Sequence, residues 1–167
     1  MMDNYIEATR HEIKFILNGE ECVIEIPANL TLVELLRQEL RLIGTTEGCG
    51  VGVCGCCTVL IDGKVVASCL ELAVNVDGKV VLTIEGLADT YQDSEFHPLQ
   101  DSFREYEGFQ CGYCTPGMLM ASKALLDQNR DPSDDDIREF LSENICRCTG
   151  YDSIIEAVKS AAKEMNA

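Results

Sequence analysis

The stretch GCGVGVCGCC, Gly48 to Cys57, places four cysteines and four glycines in ten residues. Glycine weakens helices and strands alike, so a run of this kind must be a loop wrapped closely around something. It contains Gly50-x-Gly52-x-x-Gly55, formally the glycine pattern of a dinucleotide-binding turn. Such a turn follows a strand and opens a helix. Here the segment follows a helical pattern, Thr58 to Ile61 after it reads as a strand, and Cys54 falls inside the supposed phosphate loop. The nucleotide reading fails on context, and the thiols become the constraint.

Eight of the ten cysteines fall into two sets of four. Cys49, Cys54 and Cys57 have C-x4-C-x2-C spacing, with Cys69 further on, the plant-type [2Fe–2S] pattern. The second set is Cys111-x2-Cys114 with Cys146-x-Cys148. Two irons and two sulfides on four thiolates carry negative charge, which is costly to bury unless N–H groups point at the sulfurs. Gly48, Gly50, Gly52 and Gly55 let the loop backbone present them. In the second set, Thr115 is expected as an N-cap and Pro116 as the first helical residue, which puts a helix N-terminus beside an anionic centre. Structural zinc is the rival, being common at C-x2-C pairs, and disulfides come third. Cys146-x-Cys148 is an unusual zinc half-site. Cys22 is expected as a buried small hydrophobe in a strand. Cys56, beside Cys57, is expected to point away.

Composition narrows the chemistry. The first twenty residues show neither a basic nor an apolar signal region, and no uncharged apolar run reaches membrane-spanning length. The expected location is cytoplasmic, where clustered thiols bind metal or do redox work more often than they pair. A formal charge of −16 argues against nucleic acid and against an anionic membrane surface. It fits solubility and the steering of a basic partner equally well. His11 and His97 are the only histidines, and no H-E-x-x-H, G-x-S-x-G or P-loop is present. Asp134-Asp135-Asp136 reads as a helix first turn. No nucleophile, general base or catalytic residue stands out; the visible chemistry is electron transfer.

The chain divides into two halves. HEIKFILNGEECVIEIP alternates about Asn18-Gly19 as a hairpin, TLVELLRQEL reads as a helix capped by Thr31, TVLIDGKVVASC turns at Asp62-Gly63, and KVVLTIEGL is a further strand. Beyond the polar LADTYQDSEFH, four segments have helical period, one of them capped by Ser133. The expected fold is α+β, with a sheet domain over residues 1–86, a linker over 87–97 and a helical domain over 98–167.

EGCGVGVCGCCTVLIDGKVVASC, QCGYCTPGM and NICRCTGY, in that order, resemble the small iron–sulfur subunit of the molybdenum hydroxylases, the xanthine dehydrogenase, aldehyde oxidoreductase and carbon monoxide dehydrogenase group. The resemblance covers roughly residues 11 to 163. It implies a β-grasp, plant-ferredoxin-like domain holding one [2Fe–2S] cluster on Cys49, Cys54, Cys57 and Cys69. A four-helix-bundle domain would hold the other on Cys111, Cys114, Cys146 and Cys148. Gln110 and Cys148 would lie nearest the molybdopterin (Mo) of a separate large subunit, and the first cluster would serve FAD on a medium subunit. The implied enzyme is an oxidoreductase whose substrate chemistry sits on a partner, with an N-heterocycle such as a purine as substrate. The assembly would be a hetero-oligomer, a dimer of heterotrimers among the arrangements. A free-standing ferredoxin-like carrier and a zinc-stabilised interaction module are the alternatives. The family normally has a small residue, often Ala, where this chain has Cys56, which bears on the redox behaviour of the first cluster.

Overall fold

The structure, a computed structural model, describes residues 9–91 and 95–167. Strands β1 (Arg10–Leu17) and β2 (Glu20–Pro27) form the first hairpin. Asn18 and Gly19 both take left-handed backbone, with φ of 52° and 87°, the geometry that matches the strands' own twist. Ile13 and Phe15 of β1 face inward and are buried, while Lys14 between them points out to pair with Glu21. Helix α1 opens at Leu32 under a capping box: the Thr31 hydroxyl accepts the Glu34 N–H, and the Glu34 carboxylate accepts the Thr31 N–H at 2.9 Å.

Helix α1 does not continue as a regular α-helix. After Glu34 the chain widens into a π-helical turn over Leu35–Glu39, in which the Leu40 N–H reaches the Leu35 carbonyl at 3.0 Å. The wider turn buries Leu32, Leu35 and Leu36 together. It also aims Arg37 at the incoming loop, where its guanidinium donates to the carbonyls of Ile43 and Thr45, each at 2.7 Å. The approach to Gly48 is thereby tied to the helix.

Strands β3 (Thr58–Ile61) and β4 (Lys64–Ala67) turn at Asp62 and Gly63, again both left-handed. Strand β5 is short, Val80–Leu82, parallel to β1 and antiparallel to β3. It ends early because the Asn18 side chain takes the Thr83 N–H at 2.8 Å. The sheet order is β2-β1-β5-β3-β4. All of β3 is buried. Val59 and Ile61 join the core under α1, whereas Leu60 on the opposite face joins the helical core. A period of two thus puts one strand in both halves.

The segment expected as a linker, 87–97, holds the short 3-10 turn Ala88–Thr90 and follows another, Ile84–Gly86. Leu87 between them is fully buried among the helices, and residues 92–94 of that segment lie outside the described residues. Helix α2 (Pro98–Glu105) is capped by a histidine: His97 Nδ1 accepts the Leu99 N–H at 3.1 Å. Helices α3 (Thr115–Gln128), α4 (Asp134–Phe140, capped by Ser133) and α5 (Asp152–Met165) complete the second half. Leu99, Phe103, Met118, Leu126, Ile137 and Ile154 fill its core. Among the described residues, no helix is long and apolar enough to cross a membrane.

Candidate metal centres

The first four cysteines come together through one loop and one hairpin. Cys57 runs into β3 and Cys69 follows β4, so the β3–β4 register sets them side by side. The Ser68 hydroxyl donates to the Cys57 carbonyl at 2.7 Å, and both cysteines are buried against Val33. Cys49 and Cys54 are half-buried on the loop ahead of them. Cys49 Sγ accepts N–H groups from Val51 and Val53, both at 3.4 Å. Those two donors push its thiol down to about 6. Burial pushes Cys69 up to about 11, opposed by an N–H from Gly52. Two backbone N–H groups therefore already point at the Cys49 sulfur, as an anionic cluster requires.

The loop glycines serve for different reasons. Gly50, Gly52 and Gly55 all have left-handed backbone. A Cβ on Gly52 would collide with Leu70, and one on Gly55 would stand 2.5 Å from the Asn144 amide nitrogen. Gly48 is not left-handed, contrary to any uniform expectation for the four. Its missing side chain leaves room for sulfur, since a Cβ would sit 3.0 Å from Cys54 Sγ.

The second four come from two separate segments. Cys111 and Cys114 precede α3, while Cys146 and Cys148 lie in the connection from α4 to α5. They meet as two cross-pairs. Cys111 and Cys148, both exposed, have their sulfurs 3.6 Å apart. Cys114 and Cys146 form the inner pair, close enough for each to act on the other. Burial, reinforced by that contact, pushes Cys114 up to about 12. The Thr149 hydroxyl donates to Cys146 Sγ at 3.1 Å. Tyr151 folds the NICRCTGY segment by accepting the Cys146 N–H at 2.8 Å and donating to the Asn144 carbonyl at 3.1 Å. Gln110 Nε2 donates to the Cys148 carbonyl at 3.1 Å, so these two residues share one exposed edge.

Thr115 is not the cap of α3. Cys114 takes that position in right-handed backbone, no side chain caps the helix, and Thr115 Oγ1 is buried without a partner. Pro116 accordingly falls one position further into the first turn than expected. The chain turns in one residue earlier because the Thr115 N–H closes on the Gly112 carbonyl.

Residues that carry no obvious chemistry knit the two loops together. The Ile145 N–H donates to the Cys54 carbonyl at 2.9 Å, and the Asn144 amide donates to the Gly55 carbonyl at 3.0 Å. Thr46 donates to the Tyr113 carbonyl at 2.7 Å, and the Tyr113 hydroxyl donates to the Glu47 carbonyl at 2.6 Å. Gly117 in α3 lies so close to the Gly55 carbonyl that a Cβ there would collide with it. Sequence reasoning missed Thr46, Tyr113, Gly117 and Asn144; only the glycine in TPG and the asparagine beside ICRC were visible as signals.

Among the described residues, no three His, Cys, Asp or Glu side chains converge on a single ion. A two-iron centre divides four thiolates between two metals, so it asks for adjacent pairs rather than convergence on one point. The donor chemistry fits: all-thiolate sets, in pairs, with N–H groups aimed at sulfur.

Comparison with known proteins agrees. Residues 15–83 match the family described as 2Fe-2S iron-sulfur cluster binding domain, and residues 83–159 match the [2Fe-2S] binding domain. A probable xanthine dehydrogenase subunit of Bacillus subtilis is 43% identical over 94% of this chain and 88% of its own. The nicotine 6-hydroxylase small subunit of Paenarthrobacter nicotinovorans is also 43% identical, over 91% of this chain and 90% of its own.

The chain belongs to the iron–sulfur small-subunit family of the molybdenum hydroxylases.

The solved quinoline 2-oxidoreductase of Pseudomonas putida 86 superposes on this iron–sulfur subunit with a TM-score of 0.88 and 42% identity, over 94% of this chain and 96% of that one. The aldehyde oxidoreductase of Desulfovibrio gigas also reaches 0.88, at 41% identity, but the match takes up only 17% of that chain. The iron–sulfur subunit fold thus occurs both as a separate chain and as part of a much longer one. An α+β ferredoxin-like domain followed by a helical domain, and larger partners, go with membership of this family.

Proposed function

We propose that this chain carries electrons from a molybdopterin centre on a large partner subunit to FAD on a medium one. Cys49, Cys54, Cys57 and Cys69 would hold the first [2Fe–2S] cluster, and Cys111, Cys114, Cys146 and Cys148 the second. The observation that carries this reading is the seam: two all-thiolate sets whose loops hydrogen-bond to each other directly. A bound [2Fe–2S] cluster supplies a one-electron couple whose potential depends on hydrogen bonds to sulfur. The protein supplies the rest. Val51, Val53 and Gly52 give N–H groups to the first set. Thr149 gives a hydroxyl to the second. The exposed Cys111–Cys148 edge, with Gln110, would face the pterin. Exposed Val51, Val53 and Leu70 beside the first loop would be covered by the flavin subunit, as uncovered apolar patches of this kind mark interfaces.

The domain limits read from the sequence, 1–86 and 98–167, go with this reading, and the second is taken as a four-helix bundle. Relatives named for xanthine, nicotine and quinoline support an N-heterocycle, such as a purine, as the substrate of the assembly. That assembly would be a hetero-oligomer, such as a dimer of heterotrimers, in the cytoplasm. The test is Cys148→Ser in the complete complex, with flavin reduction followed after substrate addition. The expected result is a block between molybdenum and flavin while the first cluster still assembles. Undiminished flavin reduction would sink the assignment.

A further inference from the structure

Two cysteines stand outside the sets of four. Cys22 is half-buried in β2. Cys56 does not point away as expected: its side chain is only 7% exposed, and a Cβ on Gly48 would stand 3.3 Å from its sulfur and 3.0 Å from that of Cys54. The side chain that brings a polar hydrogen to a ligand sulfur belongs to the second set. Thr149, next to Cys148, is half-buried, and its hydroxyl donates to Cys146 Sγ at 3.1 Å.

That hydroxyl has one proton, and its direction is fixed from the other side. The Tyr151 N–H donates to Thr149 Oγ1 at 3.3 Å, which occupies an oxygen lone pair and leaves the proton for sulfur. Tyr151 is itself held by its other polar groups. Its hydroxyl sits between the Cys146 N–H and the Asn144 carbonyl, and its own carbonyl accepts the Ile155 N–H at 3.0 Å. These ties go with left-handed backbone at both Gly150 and Tyr151, φ of 72° and 76°, a conformation that bulky residues rarely adopt. The turn so formed carries Thr149 back over the Cys146 sulfur. Cys111 and Cys148 are exposed, so water can supply donors to them, whereas Cys146 is buried. A donor held inside the protein acts more strongly than one in competition with water.

We propose that Thr149 is a positioning residue for electron transfer, whose hydroxyl, bonded to the Cys146 sulfur, raises the reduction potential of the second centre. The proposal rests on the cluster assignment above. Reduction adds one electron from the molybdenum side, and its charge spreads onto the ligand sulfurs. A hydrogen-bond donor to sulfur favours that more negative state. The effect is confined to the second centre, because the Cys49 sulfur of the first takes its donors from the backbone of its own loop.

The test is an anaerobic potentiometric titration of the iron-loaded protein, read by EPR, for wild type, Thr149→Val and Thr149→Ser. The signal of the second centre is identified as the one lost in Cys148→Ser. Thr149→Val, which keeps the shape and removes the donor, is expected to keep both centres and to lower the midpoint of that signal alone. At the wild-type midpoint its reduced-to-oxidised ratio should fall roughly three- to tenfold, tenfold being 59 mV for a one-electron couple. Thr149→Ser, which restores the hydroxyl, should return the midpoint to that of wild type. An unchanged midpoint in Thr149→Val, or an equal shift in both signals, would overturn the proposal. So would a shift in Thr149→Ser as large as that in Thr149→Val, because the hydroxyl would then not be its source. Loss of the second centre from Thr149→Val would also overturn it, making Thr149 a prop for assembly. Absence of a pair of [2Fe–2S] signals from wild type would instead place the failure in the cluster assignment, and the proposal would fall with it.

Discussion

The two sets of cysteines reach the same count by opposite means. The first is mainly one glycine-rich loop, closed by a β-hairpin that sets Cys57 beside Cys69. Its Cys49 takes N–H groups from residues only two and four positions away. The second is assembled from two distant segments at helix ends, and its outer pair, Cys111 and Cys148, is exposed. A site built from a local loop depends on the backbone of that loop, whereas one built from distant segments depends on the packing that brings them together. The exposed outer pair goes with the proposed approach of a partner's cofactor to the second set.

The comparison breaks most severely at the seam. Gly117→Leu should force α3 away from the Gly55 carbonyl, costing about 3 kcal/mol as an overpacked contact. For a chain of this size that is a fall of roughly 6–12 °C in Tm, and iron should be lost from both sets. Unfolding at the wild-type temperature would mean that the halves do not rely on each other.

Serine in place of single ligands separates the two sets. Cys57→Ser buries a hydroxyl in an apolar corner with Val33, which should cost about 1–3 kcal/mol and remove the first cluster alone. Cys148→Ser, at an exposed position, should leave thermal stability of the iron-free chain within about 0.5 kcal/mol and remove the second alone. Iron analysis should find about half the wild-type content in each. Complete loss in Cys148→Ser would contradict the independence of the first loop.

Acid should find the helical half first. Burial, with help from the Lys123 cation and against the pull of Asp127, pushes His97 down to about 4. The unfolded chain takes up that proton near pH 6.5, so the unfolded state binds more protons between the two values. Stability from this residue is full above pH 6.5 and falls as pH drops towards 4, by on the order of 2 kcal/mol at pH 5. His97→Asn keeps a capping acceptor for α2 but cannot titrate. Urea midpoints for the variant should therefore change less between pH 7 and 5 than those of wild type. Parallel curves would show that His97 is not the acid-sensitive group.

The smallest effect is expected at the rim. Tyr113→Phe deletes one exposed hydrogen bond, from its hydroxyl to the Glu47 carbonyl. The expected cost is about 1 kcal/mol, seen as faster amide exchange confined to the two loops, with both clusters retained. Faster exchange spread over the whole sheet would make Tyr113 a global stabiliser.

Features governed by a few neighbouring residues were legible in the sequence. Asn18-Gly19 and Asp62-Gly63 announce left-handed turns because few other pairs adopt them easily. Thr31 and Ser133 announce helix starts because their caps close within three residues. The cysteine spacing announced the metal chemistry for the same reason. What stayed hidden is non-local. The π-helical turn at Leu35–Glu39 answers to burial of three leucines and to the Arg37 contacts, neither of which a helical period reveals. Thr115 looked like a cap until Gly112 closed the turn one residue earlier. Leu87 sits in a polar-looking stretch yet is fully buried, because its partners are helices that come later in the chain. Cys56 seemed to be a surplus thiol for want of knowledge that Gly48 and Gly117 open its place in the seam.

The central claim is that two [2Fe–2S] centres share this one chain. Low-temperature EPR with spin counting, on anaerobically purified and dithionite-reduced protein, tests it most directly. The account predicts two distinguishable S = 1/2 signals that together approach about two spins per chain. A single signal of about one spin per chain, or no signal with zinc in place of iron, would contradict it.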